Sequence, residues 1–162
     1  MTGALRGTKV LDLSRFIAGP LCGMILGDMG ADVVKVERKG QGEDARTVAP
    51  FAGGESLYVM MYNRNKRGLE IDFRNPQAQR LLRDLIGQSD IVIENFRPGT
   101  MEKMGCGWDV ISGLNPRTIM VRISGFGQDG PYAERPCFDA IGQAMSGLME
   151  MTGLPDGPPV PA

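Results

Sequence analysis

The stretch KVLDLSRFIAGPLCGMILGDMGADVVKVE, residues 9–37, decides the fold. Its first six residues, Lys9 to Ser14, are short, rich in Val and Leu, and predict a strand. AGPLCGMILGDMG follows and predicts a helix. Pro20 suits a first helical turn, Leu21, Met24, Ile25 and Met29 share one face, and Gly30 stands where a helix would stop. DVVKVE, Asp32 to Glu37, predicts a second strand. Strand–helix–strand in this span implies a parallel pair with the helix laid across it.

The pattern repeats downstream. After a Gly-rich loop, Glu55 to Asn63 predicts a short helix, and GLEIDF (Gly68 to Phe73) a third strand. NPQAQRLLRDLIG predicts a helix with Asn75 as N-cap, Pro76 at its first position and Leu81, Leu82, Leu85 and Ile86 buried. DIVIENF (Asp90 to Phe96) and TIMVRISGF (Thr118 to Phe126) predict two more strands, with a short helix over WDVISGLN between them. Phe138 to Gly153 predicts a last helix, capped by Asp139, with Ile141, Ala144, Met145, Leu148 and Thr152 on one face. The expected fold class is α/β, a mainly parallel sheet with helices on both faces. Ligands of such sheets bind in the loops beyond the carboxyl ends of the strands.

Composition narrows the chemistry. The 162 residues hold 18 Lys plus Arg against 19 Asp plus Glu, without the basic excess of a nucleic-acid groove. No apolar run approaches a membrane span, and the first residues lack the apolar core of a secretory signal, so a cytoplasmic protein is expected. Cys22, Cys106 and Cys137 form no CxxC pair and read as reduced packing residues. There is no histidine, which removes Ser-His-Asp triads, Cys-His dyads and most zinc sites; no metal is expected.

Two glycine motifs resemble phosphate loops. GFGQDG, Gly125 to Gly130, fits G-x-G-x-x-G after a strand, but Pro136 would break the helix that must follow and Asp129 would repel a phosphate. GQGEDA is spoiled by Glu43 and Asp44. Cations are more informative. Arg38 follows the second strand, Arg74 the third and Arg97 the fourth, with Lys103 a few residues on. Several cations at one sheet edge suggest a ligand with several phosphates. Arg64, Lys66 and Arg67, before the third strand, fit a solvated loop as well as a ligand site. FIAGP, in the first loop, pairs Gly19 with a helix start at Pro20, a turn that also suits an anion.

GTKVLDLSRFIAGPLCGMILGDMGADVVKVERKGQGEDAR, YNRNKRGLEIDF, DIVIENFRPGTMEKMG and LNPRTIMVRISGFGQDGPYAERPCFDAIGQAMSGLMEMTGLPDGPP resemble the N-terminal part of class III (CaiB/BaiF-type) coenzyme A transferases. The resemblance runs through essentially all of the chain. It implies a Rossmann-like large domain, of which residues 1–162 would be the N-terminal, coenzyme-binding part, with a small domain elsewhere and two subunits interlocked as a homodimer. The implied reaction moves CoA from an acyl-CoA to a carboxylic acid through a covalent aspartyl intermediate.

By the same resemblance, Ile17 and Ala18 would lie beside the CoA, although family members often carry Gln where this chain has Ile17. Arg38 would bind phosphate, and Ile71, Asp72, Phe73 and Arg74 would cradle the adenine and ribose phosphate. Asn95, Phe96 and Arg97 match the NF-x-PG loop. Lys103 replaces an Arg at a phosphate contact, and Pro136, Cys137, Phe138 and Asp139 would line the CoA arm. In the family the TG-PDGPP stretch leads shortly to the nucleophilic Asp, and the chain ends first. It is therefore expected to be a fragment with no catalytic residue of its own, Asp139 reading as a helix cap and Asp156 as a turn residue. Two alternatives are a 2-methylacyl-CoA racemase-like isomerase and a non-catalytic CoA- or nucleotide-binding module. The first is disfavoured by Phe138 at the position of that branch's histidine.

Overall fold

A computed structural model describes residues 3–162. Strands β1 (Lys9–Asp12), β2 (Asp32–Arg38), β5 (Lys66–Ile71), β6 (Ile91–Glu94) and β7 (Ile119–Arg122) form one sheet in the order β5-β2-β1-β6-β7. Every neighbouring pair in it is parallel. Helices α1 (Ala18–Asp28), α3 (Pro76–Gly87), α4 (Thr100–Lys103) and α5 (Trp108–Leu114) connect them. Between β2 and β5 lie a 3-10 turn (Asp44–Thr47), a small hairpin of β3 (Phe51–Ala52) and β4 (Glu55–Ser56), and α2 (Leu57–Tyr62). The α/β expectation, a mainly parallel sheet with helices on both faces, holds.

Strand alternation sorts the core onto two faces. Leu11, Val36, Ile71 and Val92 pack with Leu82 and Ile86 of α3, Met101 of α4 and Ile111 of α5. Val10, Val33 and Ile93 face the other way, with Cys22 and Leu26 of α1 against them. Asn75 caps α3 by accepting from the Gln77 N–H at 2.8 Å, with Pro76 opening the helix as expected. Leu82 and Ile86 are its buried residues, while Leu81 is exposed.

Helix α1 departs from its expected face. Gly19, Pro20, Gly23, Met24 and Gly27 are buried, whereas Ile25 and Met29 are exposed. A Cβ on Gly23 would stand 2.7 Å from Asp12 Oδ2 and one on Gly19 would strike Ser14. The helix thus presents a glycine stripe to the sheet because polar groups beneath it need the space. Other differences are local. The segment from Glu55 begins as a hairpin strand, since Ser56 and Glu55 pair with Phe51 and Ala52. Strand β5 starts at Lys66 and stops at Ile71, because Asp72 turns the chain by accepting from the Arg74 N–H at 3.0 Å.

The chain forms two compact units, one ending at Ile123 and one spanning Ser124–Ala162. In the second, α6 (Asp139–Ser146) and α7 (Leu148–Met151) replace the single helix expected there, split at Gly147, whose φ is +81°. Phe138, not Asp139, occupies the N-cap position of α6, and Asp139 accepts instead from Gln143 Nε2 at 2.7 Å. Ile141, Met145 and Leu148, grouped on one face by the sequence pattern, are exposed. No helix starts at GFGQDG, where Gly125 abuts Cys137. The Pro-rich tail folds back through Val160 N–H to Met149 O, at 3.2 Å. Among the described residues all three cysteines are free, and no helix is long and apolar enough to cross a membrane.

Candidate functional site

Because the strands of the large sheet are all parallel, the loops after Ile71, Arg38, Asp12 and Glu94 emerge side by side at one edge. A cleft of about 220 Å³ opens there. Leu13, Ser14 and Arg15 after β1 form one wall, and Val36, Glu37 and Arg38 at the end of β2 another. Gly42 and Glu43, Phe73 after β5, and Phe96, Thr100 and Met104 after β6 complete it.

The expected site residues distribute unevenly around this cleft. Arg38, Phe73 and Phe96 line it. Asn95 stands behind the wall: its Oδ1 accepts from the Arg15 N–H and its Nδ2 donates to the Arg15 carbonyl, both at 2.7 Å. Arg74, Arg97 and Lys103 are exposed on the same edge and form no ion pair among the described residues. Asp72 is exposed beside them, whereas Ile71 is a core residue at 5% exposure. Ile17 is the N-cap of α1 and Ala18 its first residue, both exposed at the end of the first loop. Pro136, Cys137, Phe138 and Asp139 belong to the second unit.

Beneath the cleft lies a buried ionic lattice that sequence reasoning missed. Asp12, Lys35, Glu43 and Lys66 have almost no exposed side-chain surface. Lys66 Nζ meets Asp12 Oδ2 at 2.7 Å, and also donates to the Pro20 carbonyl at 2.8 Å and to Asn63 Oδ1 at 3.1 Å. Lys35 Nζ meets Glu43 Oε2 at 2.7 Å and donates to the Ser14 carbonyl. Asp12 Oδ1 accepts from the Ser14 N–H at 3.0 Å and from its hydroxyl. Glu43 Oε1 accepts from the Phe16 N–H at 2.7 Å, holding Phe16 at a φ of +63° that a bulky residue seldom adopts. Two acids and two bases balance, and their hydrogen bonds fix the first loop residue by residue. Burial pulls the Lys66 ammonium below its ordinary value of 10.5, with Asp12 opposing that shift. Burial, then Asp12, pushes the Cys22 thiol up.

The signal was present in the sequence. Asp12 and Lys35 are opposite charges within apolar strands, and they fall in register on adjacent strands. A charge in a strand covered on both faces has to be paired.

A second network sets the loop after β6. Glu94, 1% exposed, accepts from the Phe96 N–H and from Arg122 Nε, each at 2.7 Å. Arg122 reaches on to Glu102 of α4 at 2.9 and 3.2 Å. Those hydrogen bonds hold the Glu102 carboxyl below its ordinary value of 4.5. Among the described residues, no group of three or more metal-ligating side chains is arranged to hold a metal ion.

Comparison with known proteins gives one consistent outcome. The sequence model of CoA-transferase family III matches residues 5–162. The chain is 46% identical over 156 residues to succinyl-CoA–D-citramalate CoA-transferase of Chloroflexus aurantiacus, covering 96% of this chain and 39% of that protein. It is 43% identical over 157 residues to human succinyl-CoA:glutarate CoA-transferase, covering 96% of this chain and 36% of that one. The crystal structure of a CaiB/BaiF family protein from Brucella suis superposes with a TM-score of 0.92 at 41% identity, over 99% of this chain and 43% of that one. The chain therefore spans about two fifths of the length of the relatives it matches. Matched along nearly its whole length by the family's sequence model and by a solved member's fold, the chain belongs to CoA-transferase family III, the CaiB/BaiF family.

Proposed function

We propose that residues 1–162 form the coenzyme-binding part of the large domain of a cytoplasmic CoA-transferase that works as an interlocked homodimer. The enzyme would move CoA from an acyl-CoA to a small carboxylic acid. The relatives named above are CoA-transferases of D-citramalate and of glutarate. They make a short dicarboxylate the acceptor class to test first. One observation carries the reading. In a chain of this family, the parallel strands deliver Arg38, Arg74, Arg97 and Lys103 to one edge, beside a cleft with Phe73 and Phe96 in its walls. Arginine forks and a lysine point charge suit phosphates, and aromatic faces suit an adenine.

The chemistry proposed is covalent. An enzyme aspartate attacks the thioester carbonyl, expelling CoA thiolate and forming a mixed anhydride. The thiolate attacks the aspartyl carbon of that anhydride, releasing the first acid and leaving an aspartyl-CoA thioester. The acceptor carboxylate displaces the thiolate again, and the thiolate then attacks the acceptor's acyl carbon, which regenerates the aspartate. That aspartate lies in the part of the family's length that this chain does not span. Asp139 is engaged by Gln143, and Asp156 sits in a turn closed by the Gly157 N–H to the Leu154 carbonyl.

The test is ligand-induced thermal stabilisation with CoA, ADP and NAD. CoA should raise the melting temperature, and Arg38→Ala or Arg74→Ala should remove the effect. Stabilisation by NAD alone overturns the reading. Acyl exchange by residues 1–162 with nothing appended overturns the placement of the nucleophile.

A further inference from the structure

Arg15 was not among the residues expected to bind ligand, yet it lines the cleft opposite Arg38. Its guanidinium lies over the Phe96 ring, 5.2 Å from the centroid. Its Nη1 meets Asp44 Oδ2 at 2.9 Å, and the other oxygen of the same carboxylate accepts from Arg38 Nη2. One carboxylate thus bridges two guanidinium groups at the mouth of the cleft.

Asp44 is held there from below. It begins the 3-10 turn whose N-cap is the buried Glu43, and its carbonyl accepts from the Thr47 hydroxyl at 3.1 Å. The Arg15 main chain is pinned by Asn95 on both its N–H and its carbonyl. The two arginines therefore stand on fixed backbones, and their side chains remain about two fifths exposed. Two positive charges share one negative charge, which leaves the Arg15–Asp44–Arg38 group one unit positive. A phosphate presents the same pair of acceptor oxygens with up to two negative charges, so it matches the pair of guanidiniums better than the resident carboxylate does.

We propose that Arg15 is a second phosphate-binding residue acting together with Arg38, and that Asp44 is a built-in competitor which an incoming phosphate displaces. The inference rests on the proposed CoA-type ligand. Asp44 keeps the two arginines aimed at one point while the cleft is empty, and it weakens binding by occupying that point.

Titration calorimetry on the full chain, with CoA and 3′-dephospho-CoA as probes, decides it. Arg15→Ala should weaken CoA binding roughly ten- to a hundredfold, as loss of a charge-assisted hydrogen bond does. Arg15→Lys should recover part of the loss, since the charge returns without the fork. Asp44→Asn, isosteric and uncharged, should tighten binding about three- to tenfold, a gain that damage to the fold cannot produce. An Arg15 effect that vanishes with 3′-dephospho-CoA assigns the ribose phosphate, and one that persists assigns the pyrophosphate; both support the pairing. CoA affinity within twofold of the parent in both Arg15 variants, or weakened binding in Asp44→Asn, overturns the inference and leaves the proposed function standing. No CoA binding by the parent chain overturns both. If Arg15→Ala does not fold, Arg15→Lys and Asp44→Asn decide between these outcomes.

Discussion

Replacing Asp12 with Asn exchanges a carboxylate for a neutral amide at a residue with no exposed surface. The parent lattice pairs two carboxylates with two ammonium groups. In Asp12→Asn, Lys66 loses the only carboxylate within ion-pair distance of it among the described residues, and Lys35 keeps Glu43. Removing one partner of a buried pair costs about 3–5 kcal/mol, because the charge left behind has no compensation. For a chain of this size each kcal/mol moves the melting temperature by about 2–4 °C, so the expected fall is roughly 6–20 °C. Calorimetric or circular-dichroism melting at pH 7 measures it. The pH dependence carries a second signature. Burial already pulls the Lys66 ammonium down and Asp12 opposes that shift, so losing Asp12 lowers it further. Between that lowered value and the ordinary 10.5, the unfolded chain holds a proton that the folded chain has released. The variant's stability should therefore rise with pH through this window, more steeply than the parent's. Adding Lys66→Met removes the orphaned charge, and the double variant should melt above Asp12→Asn alone. A fall of less than about 1 kcal/mol in Asp12→Asn would place these charges in contact with water and refute the reasoning.

Gly23→Ala should destabilise by about 1–3 kcal/mol, although alanine normally improves a helix, because its Cβ would stand 2.7 Å from Asp12 Oδ2 and 3.2 Å from Lys66 Nζ. Equal or higher stability in urea unfolding would show that α1 can lift off the lattice at no cost. The Glu102 carboxyl is held low by Arg122, so its stabilising contribution is complete above its ordinary value of 4.5 and is lost as pH falls through the folded value. Glu102→Gln should flatten that acid limb in melting curves taken from about pH 6 to about pH 2. Asn95→Ala frees both main-chain groups of Arg15 and should weaken CoA binding about tenfold, measured by calorimetry, with a smaller effect on melting than Asp12→Asn.

The sheet and the edge at which its strands end were legible because their signals are local. Val and Leu runs mark the strands, Asn75 and Pro76 mark the start of α3, and parallel connections force Arg38, Arg74 and Arg97 to one side. Apolar spacing marks the buried face of α3 through Leu82 and Ile86 but only part of that of α1. On α1 Met24 is buried as its pattern implies, but most of the buried face is Gly19, Pro20, Gly23 and Gly27, and a hydrophobic pattern cannot register a side chain that is not there. In the sequence Lys66 groups with Arg64 and Arg67 as a charged run before a strand. Those two pair at the surface with Asp28 and Asp32, but Lys66 is turned inward by strand alternation and meets Asp12, 54 residues away. Glu43, read only as an acidic residue that argues against a phosphate loop, is also a strut of the first loop, bonding to Phe16 across 27 residues.

These long-range contacts share a cause, and it bears on the proposed site. A phosphate site at a sheet edge needs several cations aimed at one point before the ligand arrives, and such cations repel each other when the site is empty. Here the acidic residues of the 40s loop act at two depths. Glu43, buried, sets the backbone of the first loop through Phe16 and reaches Ser14 through Lys35. Asp44, next in sequence and partly exposed, spans Arg15 and Arg38 and screens their repulsion. The GED run, which argues against a phosphate loop when read as isolated charges, in the fold orders the first loop through Glu43 and the Arg15–Arg38 pair through Asp44. Substituting Glu43 should disturb folding and binding together, whereas substituting Asp44 should shift binding alone, because only Glu43 is tied into the core.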